Sequence, residues 1–374
     1  MRIYPSPELK KVWKKWLAAC RYCYNQAIAI QRQSHKKLSK LNLRNLVMQS
    51  DLPAWVKETP CHIRQNATFD AHQAYTASRD AKFKSVRDAK QTIKFNSSNF
   101  TQGKWYSQLT KKLGFESSEP IPESCDYGTQ LVYRRGKWFA IFPEPLVKLS
   151  HQAQKIIAID PGVRSFLTGY DGDKVIEIGG GDIGKITRLC HHLDNLMSRS
   201  TQVNAQRRRG MRKAANRMRE RIQNLIDDVH KKSANYLTSN YRLIFLPRFE
   251  TSQMVAKTRR KIKSKTVRSM LTWAHYRFKL IVKHQGLKRG CVVLDVSEAH
   301  TSKTCGVCGH QHSKLGGSKV HKCPNCGAQT PRDANGARNI MLRALRDSSF
   351  TVSNDGIAIV TVRALSINAQ KCSA

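Results

Sequence analysis

The sequence predicts an α+β chain of several domains: a helical lobe and a small β barrel, then an α/β domain carrying an inserted zinc ribbon. Three observations predict it. Apolar residues recur at helical spacing from Leu9 to about Lys90, and the period changes to two between Thr92 and Phe142. Further on, two Cys-x-x-Cys pairs, Cys305/Cys308 and Cys323/Cys326, interrupt an alternation of short apolar strands and long helices.

Composition narrows the function before any motif does. At 374 residues the chain has room for two or three cores. Its 66 Lys and Arg against 26 Asp and Glu give a formal net charge of +40, spread from end to end. That surplus implies a large polyanion as partner, and nucleic acid fits best. A short basic protein of ribosomal type would share the charge but not the acidic residues discussed below. No apolar run approaches the roughly 18 to 20 residues of a spanning helix, so no membrane partner is expected. The opening MRIYPSPELKKV lacks the apolar centre of a secretory signal, so an intracellular location is expected.

Residues 1–5 read as a first strand that completes the barrel, and residues 6–90 as the helical lobe. Ser6-Pro7-Glu8 supplies a helix cap, a first-turn proline and a favourable acid. Pro53 and Pro60 divide the following helical pieces, in which Met48, Trp55, Phe69, Tyr75 and Phe83 are expected in the core. Residues 91–150 hold the strand patterns TIKF, KWYSQL, TQLVYRR and KWFAIF. The turn Arg134-Arg135-Gly136-Lys137 suits either a phosphate contact or a solvated tip, and both readings stay open.

Residues 151–299 begin the α/β domain with three short strands joined at Pro161-Gly162 and Asp171-Gly172, an antiparallel meander. Asp160 ends the first of them, KIIAID; alone, an Asp before Pro-Gly is a turn residue. A helical insertion over 183–240 carries Arg207, Arg208, Arg209, Arg212, Lys213, Arg217, Arg219 and Arg221, a stripe that would repel itself without an anionic partner. YRLIFLPRF follows as a fourth strand, then a second basic segment with Arg259, Arg260, Lys261, Lys263, Lys265 and Arg268. After a further helix, GCVVLDVSE is a fifth strand ending at Glu298. Meander, helices, strand, helix, strand, helix is the order of an RNase H-like fold.

Residues 300–329 form the ribbon. Each Cys-x-x-Cys pair offers two thiolates to one tetrahedral zinc, and the intervening loop of roughly fifteen residues suits a structural site. Two disulfides are the competing reading, but the remaining cysteines form no second framework. A closed four-cysteine site has no open position for water, so chemistry is expected from the flanking acids. In residues 330–346, Pro331 and Asp333 suit a helix first turn, with Ala334, Ala337, Ile340 and Leu342 as the apolar face. Residues 347–374 read as a tail.

These segments resemble a known family. AIDPGVRSFLTGYD resembles the first motif of the RuvC-like nuclease domain, TSKTCGVCG with HKCPNCG its inserted zinc ribbon, and RDANGARNI its third motif. In this combination the chain resembles TnpB and its eukaryotic and viral relatives the Fanzor proteins, transposon-encoded kin of the type V CRISPR effectors. The resemblance is strongest from Ser297 to Ile340, good around Asp160, and architectural before Ser150. It implies an RNA-guided DNA endonuclease partnered by a non-coding guide RNA and target double-stranded DNA, the RNA pairing with the target strand while the protein reads a short adjacent duplex motif. The location implied is the cytoplasm or nucleoid of a prokaryote, or the nucleus of a eukaryotic or viral host. No residue decides the oligomeric state, and a monomer is the simplest expectation.

One departure from the pattern matters. Most TnpB proteins carry a catalytic glutamate where alignment on Phe249 and Met254 puts Pro247. Glu250 and Glu298 are the available replacements, with Glu177 more remote. Fanzor-type sequences use a glutamate just before the TS-x-x-C segment, so the resemblance favours Glu298 over Glu250. In-line hydrolysis of a phosphodiester uses two divalent ions roughly 3.5 to 4 Å apart. Magnesium or manganese prefers oxygen ligands, so Asp160 would bridge the pair while Glu298 and Asp333 complete either side. Two other classes stay open: a guided DNA-binding regulator without cleavage, which the Pro247 substitution keeps open, and an RNA-independent RNase H-like transposase.

Overall fold

The structure, a computed structural model, describes residues 1–34, 36–150, 153–248, 255, 264–312, 316, 318–353 and 356–362, without the side chains of 265 and 348–362. It divides into two units, Met1–Pro145 and Leu146–Ala374.

In the first unit, β1 (Arg2–Pro5) leads into α1 (Pro7–Gln33), where the Ser6 side chain accepts from the Leu9 amide and Pro7 opens the helix. Next come α2 (Lys40–Gln49), α3 (Ala54–Lys57) and α4 (Cys61–Ala77). The strand part comprises β2 (Lys90–Lys94), β3 (Phe100–Thr101), β4 (Lys104–Trp105), a short α5 (Ser107–Thr110), β5 (Phe115–Ser117), β6 (Gln130–Arg134) and β7 (Lys137–Ile141). Five of these strands form an antiparallel sheet in the order β2-β6-β7-β1-β5. Trp13 of α1 ties helices to strands, meeting Trp105 at 5.7 Å and Trp138 at 5.1 Å. Cys20 and Cys23 are buried on α1, and burial pushes their thiols up to about 12 and about 11, so they act as small apolar groups.

Of the five residues expected in this core, Met48 and Tyr75 pack against it, but Trp55 and Phe83 are exposed. Both are surface rings with a neighbour on one face. The Arg32 guanidinium lies 4.7 Å from the Phe83 centroid, and Tyr22 meets Trp55 edge-on at 5.7 Å. Phe69, half-buried, is covered by the Lys40 ammonium at 4.1 Å.

The second unit is built on β8 (Ile156–Pro161), β9 (Leu167–Tyr170), β10 (Val175–Ile178), β11 (Leu243–Pro247) and β12 (Val292–Val296), in the order β10-β9-β8-β11-β12. The first three pair antiparallel; β11 runs parallel to both β8 and β12. Its helices are α6 (Asp182–Thr201), α7 (Ala205–Asn240), α8 (Ser264–Trp273), α9 (His275–Arg289) and α10 (Arg332–Asp347). Helices cover both faces of the sheet, which is why every residue of β11 is buried. Ile157 and Ile159 point into a core with residues of α6, α7, α8 and α9, such as Ile186, Ile226, Trp273 and Phe278. Ala158, one step out of phase, packs with Phe245 and Val296 against Ile340, Met341 and Ala344 of α10. Asp160 therefore emerges on the α10 face.

Between β12 and α10 lies the cysteine segment with its hairpin β13 (Val320–Lys322) and β14 (Gln329–Pro331). Beyond α10 the backbone forms another hairpin, β15 (Ser348–Ser353) with β16 (Gly356–Val362), within the expected tail. No helix among the described residues is long and apolar enough to cross a membrane.

Candidate active site and metal centre

The two Cys-x-x-Cys segments fold as matching knuckles. Cys305 N–H donates to His310 C=O and Gly309 N–H returns to Cys305 C=O; Cys323, Ala328 and Gly327 repeat both bonds. Gly309 and Gly327 hold φ of 75° and 70°, the left-handed conformation that closes such a turn. The knuckles bring Cys305 Sγ to 3.8 Å from Cys326 Sγ and Cys308 Sγ to 3.6 Å from Cys323 Sγ, all four sulfurs within 4.8 Å of one another. A tetrahedral ion with sulfurs at about 2.3 Å needs them about 3.8 Å apart, so the four fit one zinc-like ion. The His310 backbone N–H and then the Asn325 amide draw Cys308 down to about 6, whereas the neighbouring sulfurs push Cys326 up.

The first knuckle is bolted to α10 by two buried asparagines. Asn335 accepts from Gly306 N–H at 2.8 Å and donates to Thr304 C=O at 2.8 Å. Asn339, one turn on, donates to Thr304 C=O at 2.7 Å and Thr301 C=O at 2.9 Å. Thr301 in turn donates its hydroxyl to the Glu298 carbonyl at 2.8 Å, fixing the turn that follows β12.

Asp160, Glu298 and Asp333 come from three elements whose ends converge here. Phe245 pairs with Ala158, so two residues further along both parallel strands Pro247 lies level with Asp160. Pro247 also pairs with Val296, and Glu298 stands two residues beyond. Asp333 lies in the first turn of α10. Gly336, one turn inward, makes room for Asp160: a Cβ there would stand 2.5 Å from Asp160 Oδ2. Among the described residues no three carboxylates approach one another as closely as the four sulfurs do.

Burial, then the Asp333 and Glu298 carboxylates, push Asp160 up to about 7 against a weaker opposing pull from Arg332. Burial also raises Glu298. An enclosed carboxyl among like charges fits a cation site. Without metal it is a liability with a defined pH window. Because the folded pKa lies above the ordinary 3.8, the stability linked to Asp160 is full below pH 3.8 and is lost as pH rises through about 7. In zinc-loaded protein without added magnesium or manganese at pH 8, Asp160→Asn is therefore expected to raise stability by a few kcal/mol and Tm by several degrees, a gain that shrinks towards pH 5. Thermal melts at the two pH values check it; equal melts of both proteins at pH 8 would contradict it.

Comparison with known proteins joins these parts. The Cas12f1-like, TNB domain model matches residues 275–340, and a helix-turn-helix domain model of the OrfB/IS605 type matches residues 1–40. TnpB-like protein L79 of Acanthamoeba polyphaga mimivirus is 25% identical over 382 residues, covering 92% of this chain and 73% of that protein. The chain is similar to TnpB-like proteins along nearly its whole length. "Putative RNA-guided DNA endonuclease InsQ" of Escherichia coli is 24% identical over 378 residues, covering 91% of this chain and 90% of its own. Among solved structures, Cas12f1 in its sgRNA and target DNA complex matches with a TM-score of 0.51 at 12% identity, over 90% of this chain and 83% of that one, and so shares its fold.

In this TnpB-like chain the arginine stripe on α7 is not uniform. Arg207, Arg209, Arg212 and Arg217 are exposed, but Arg208 turns back to donate to the carbonyls of Ser200 and Val203, closing the turn after α6. Arg219 reaches Asn216 and Met197 on the same hairpin. Arg268 is also structural, paired with Asp194 of α6. Arg134 lies 5.8 Å from the Phe139 ring, and Arg135 with Gly136 forms a two-residue turn with φ of 50° and 86°. Glu250, Arg259, Arg260, Lys261 and Lys263 lie outside the described residues.

The expected apolar face of α10 changes at one position. Leu342 is 50% exposed, and the inner face of α10 is completed instead by Asn335 and Asn339, which satisfy the knuckle's carbonyls. His321 on β13 is buried, with the His312 ring 6.3 Å away.

Proposed function

We propose that this chain is a transposon-encoded, RNA-guided DNA endonuclease whose RuvC-like site is formed by Asp160, Glu298 and Asp333, with zinc on Cys305, Cys308, Cys323 and Cys326. One observation carries the proposal: the half-buried Asp160 carboxyl, accommodated by Gly336 and raised by desolvation and then by the charges of Asp333 and Glu298. The sheet order β10-β9-β8-β11-β12, with one parallel pair on each side of β11, supports an RNase H-like reading of the second unit. InsQ is named as an RNA-guided DNA endonuclease, and Cas12f1 was solved with guide RNA and target DNA, which supports the same two partners here.

Asp160, Glu298 and Asp333 would hold a pair of magnesium or manganese ions. Such ions supply an activated water and stabilise the leaving oxygen. The protein's part is to fix the carboxylates. β8 holds Asp160 in the sheet, Thr301 pins the Glu298 turn, and the Asn335 and Asn339 bonds hold α10, which bears Asp333. Asp333 is exposed, leaving that side open to a phosphodiester. Pro247 removes a side-chain ligand at the level of Asp160, and Glu298 beyond β12 replaces it, a Fanzor-like arrangement.

The α7 arginines are assigned to phosphates. Replacing Arg207, Arg209 and Arg212 by Ala is expected to reduce the salt slope of log affinity by roughly 2 to 3, about 0.9 per contact on a B-form reference, for every target alike. Titrations at several salt concentrations check this, with Arg208 left in place because it closes the α6–α7 turn. The function itself is tested by sequencing the RNA that copurifies with the protein and offering a plasmid that matches it. Magnesium-dependent cleavage of the matched plasmid alone is expected. Binding without cleavage would favour a guided regulator, and RNA-independent cutting a transposase.

A further inference from the structure

We propose that Trp273 and His275 are positioning residues for Asp160, acting through the loop that leaves β8; this rests on the reading of Asp160 as a cation ligand. Asp160 is followed by Pro161-Gly162-Val163, and two consecutive carbonyls of that loop are held from the same place. His275 Nε2 lies 3.1 Å from Gly162 C=O, and Trp273 Nε1 donates to Val163 C=O at 3.1 Å. Facing a carbonyl, His275 Nε2 must carry the proton. Both side chains are almost wholly buried.

The two donors flank a backbone singularity. Ala274, between α8 and α9, holds φ 50° and ψ 51°, a left-handed conformation unfavourable for a residue with a Cβ. That break lets an indole and an imidazole two positions apart address one loop, and an outlier retained at such a cost points to a role. The arrangement is braced from behind. Phe166 stacks on His275 at 5.2 Å and 7°, and on its other neighbour His230 at 5.1 Å and 22°. His230 Nε2 meets Trp273 C=O at 2.8 Å. The loop leaves no slack, since a Cβ on Gly162 would stand 2.6 Å from Ser165 C=O. Anchoring both carbonyls fixes where β8 ends, and so the direction in which the Asp160 carboxylate enters the site.

His275→Phe keeps the ring on Phe166 and removes the donor; His275→Gln keeps an N–H at similar reach and removes the ring. The zinc-loaded full-length chain, freed of nucleic acid, is titrated with Mn2+ and followed by electron paramagnetic resonance. The fraction lost in Asp160→Ala defines the site. His275→Phe and Trp273→Phe are each expected to weaken Mn2+ there about tenfold or more, and His275→Gln to recover most of the loss. Matching changes are expected in the magnesium dependence of cleavage, with guided target binding unchanged. Wild-type Mn2+ affinity in folded His275→Phe and Trp273→Phe would overturn the proposal. So would failure of His275→Gln to recover the loss, or failure of both Phe variants to fold, which would make the pair merely structural. If Asp160→Ala removes no bound Mn2+, the reading of the acid cluster fails and this proposal falls with it.

Discussion

Asp160→Ala and Asp333→Ala are each expected to lower guided cleavage by about a thousandfold or more while leaving RNA and target binding within a few-fold of wild type. A carboxylate taken from a two-ion site withdraws several kcal/mol of transition-state stabilisation, and roughly 4 kcal/mol already corresponds to three orders of magnitude in rate. In the proposed function affinity is assigned elsewhere, to exposed cations such as Arg207, Arg209 and Arg212. Single-turnover cleavage of a matched plasmid beside a filter-binding titration separates the two quantities. Full cleavage by either variant would remove that acid from the site.

The second large effect is expected at the cysteines. Cys305→Ser should release zinc, lower Tm by more than about 5 °C and reduce cleavage together with it. Binding of a structural zinc contributes about 10 kcal/mol or more in small zinc modules, and one lost thiolate forfeits much of that. Cys305 is the more telling position because it is buried and precedes Gly306, whose N–H is held by Asn335. A collapsed knuckle loosens Thr301 and Thr304, hence the Glu298 turn and the α10 helix that bears Asp333 and Gly336. Metal analysis, a thermal melt and a cleavage assay on one preparation check the chain of effects. A zinc-free, well-folded and active Cys305→Ser protein would break it.

Much of this arrangement is legible in the sequence because it rests on signals of short range. KIIAID ends in an acid at a Pro-Gly turn, GCVVLDVSE carries its glutamate just beyond an apolar run, and paired Cys-x-x-Cys segments announce their knuckles. What escapes is polar packing. Asn335 and Asn339 look like solvent-facing helix residues until the carbonyls of Thr301 and Thr304 are seen to lie beneath them, and counting only apolar residues turns Leu342 inward by mistake. In Arg207-Arg208-Arg209 no local pattern says that the middle side chain folds back on Ser200 and Val203. The i, i+4 spacing of the two asparagines, opposite a segment with free carbonyls, is the signal that a sharper reading would have used. Trp273 and His275 leave no such trace, since their common target is set by the break at Ala274.

With Pro247 level with Asp160, the proposed site needs a glutamate from another position. Cleavage time courses of Glu298→Gln and Glu250→Gln on one matched plasmid decide which. Glu298→Gln is predicted to leave the plasmid uncut over times in which the wild type finishes, and Glu250→Gln to follow the wild-type curve. Loss of cleavage in Glu250→Gln alone, or wild-type cleavage by both, would contradict the three-acid site.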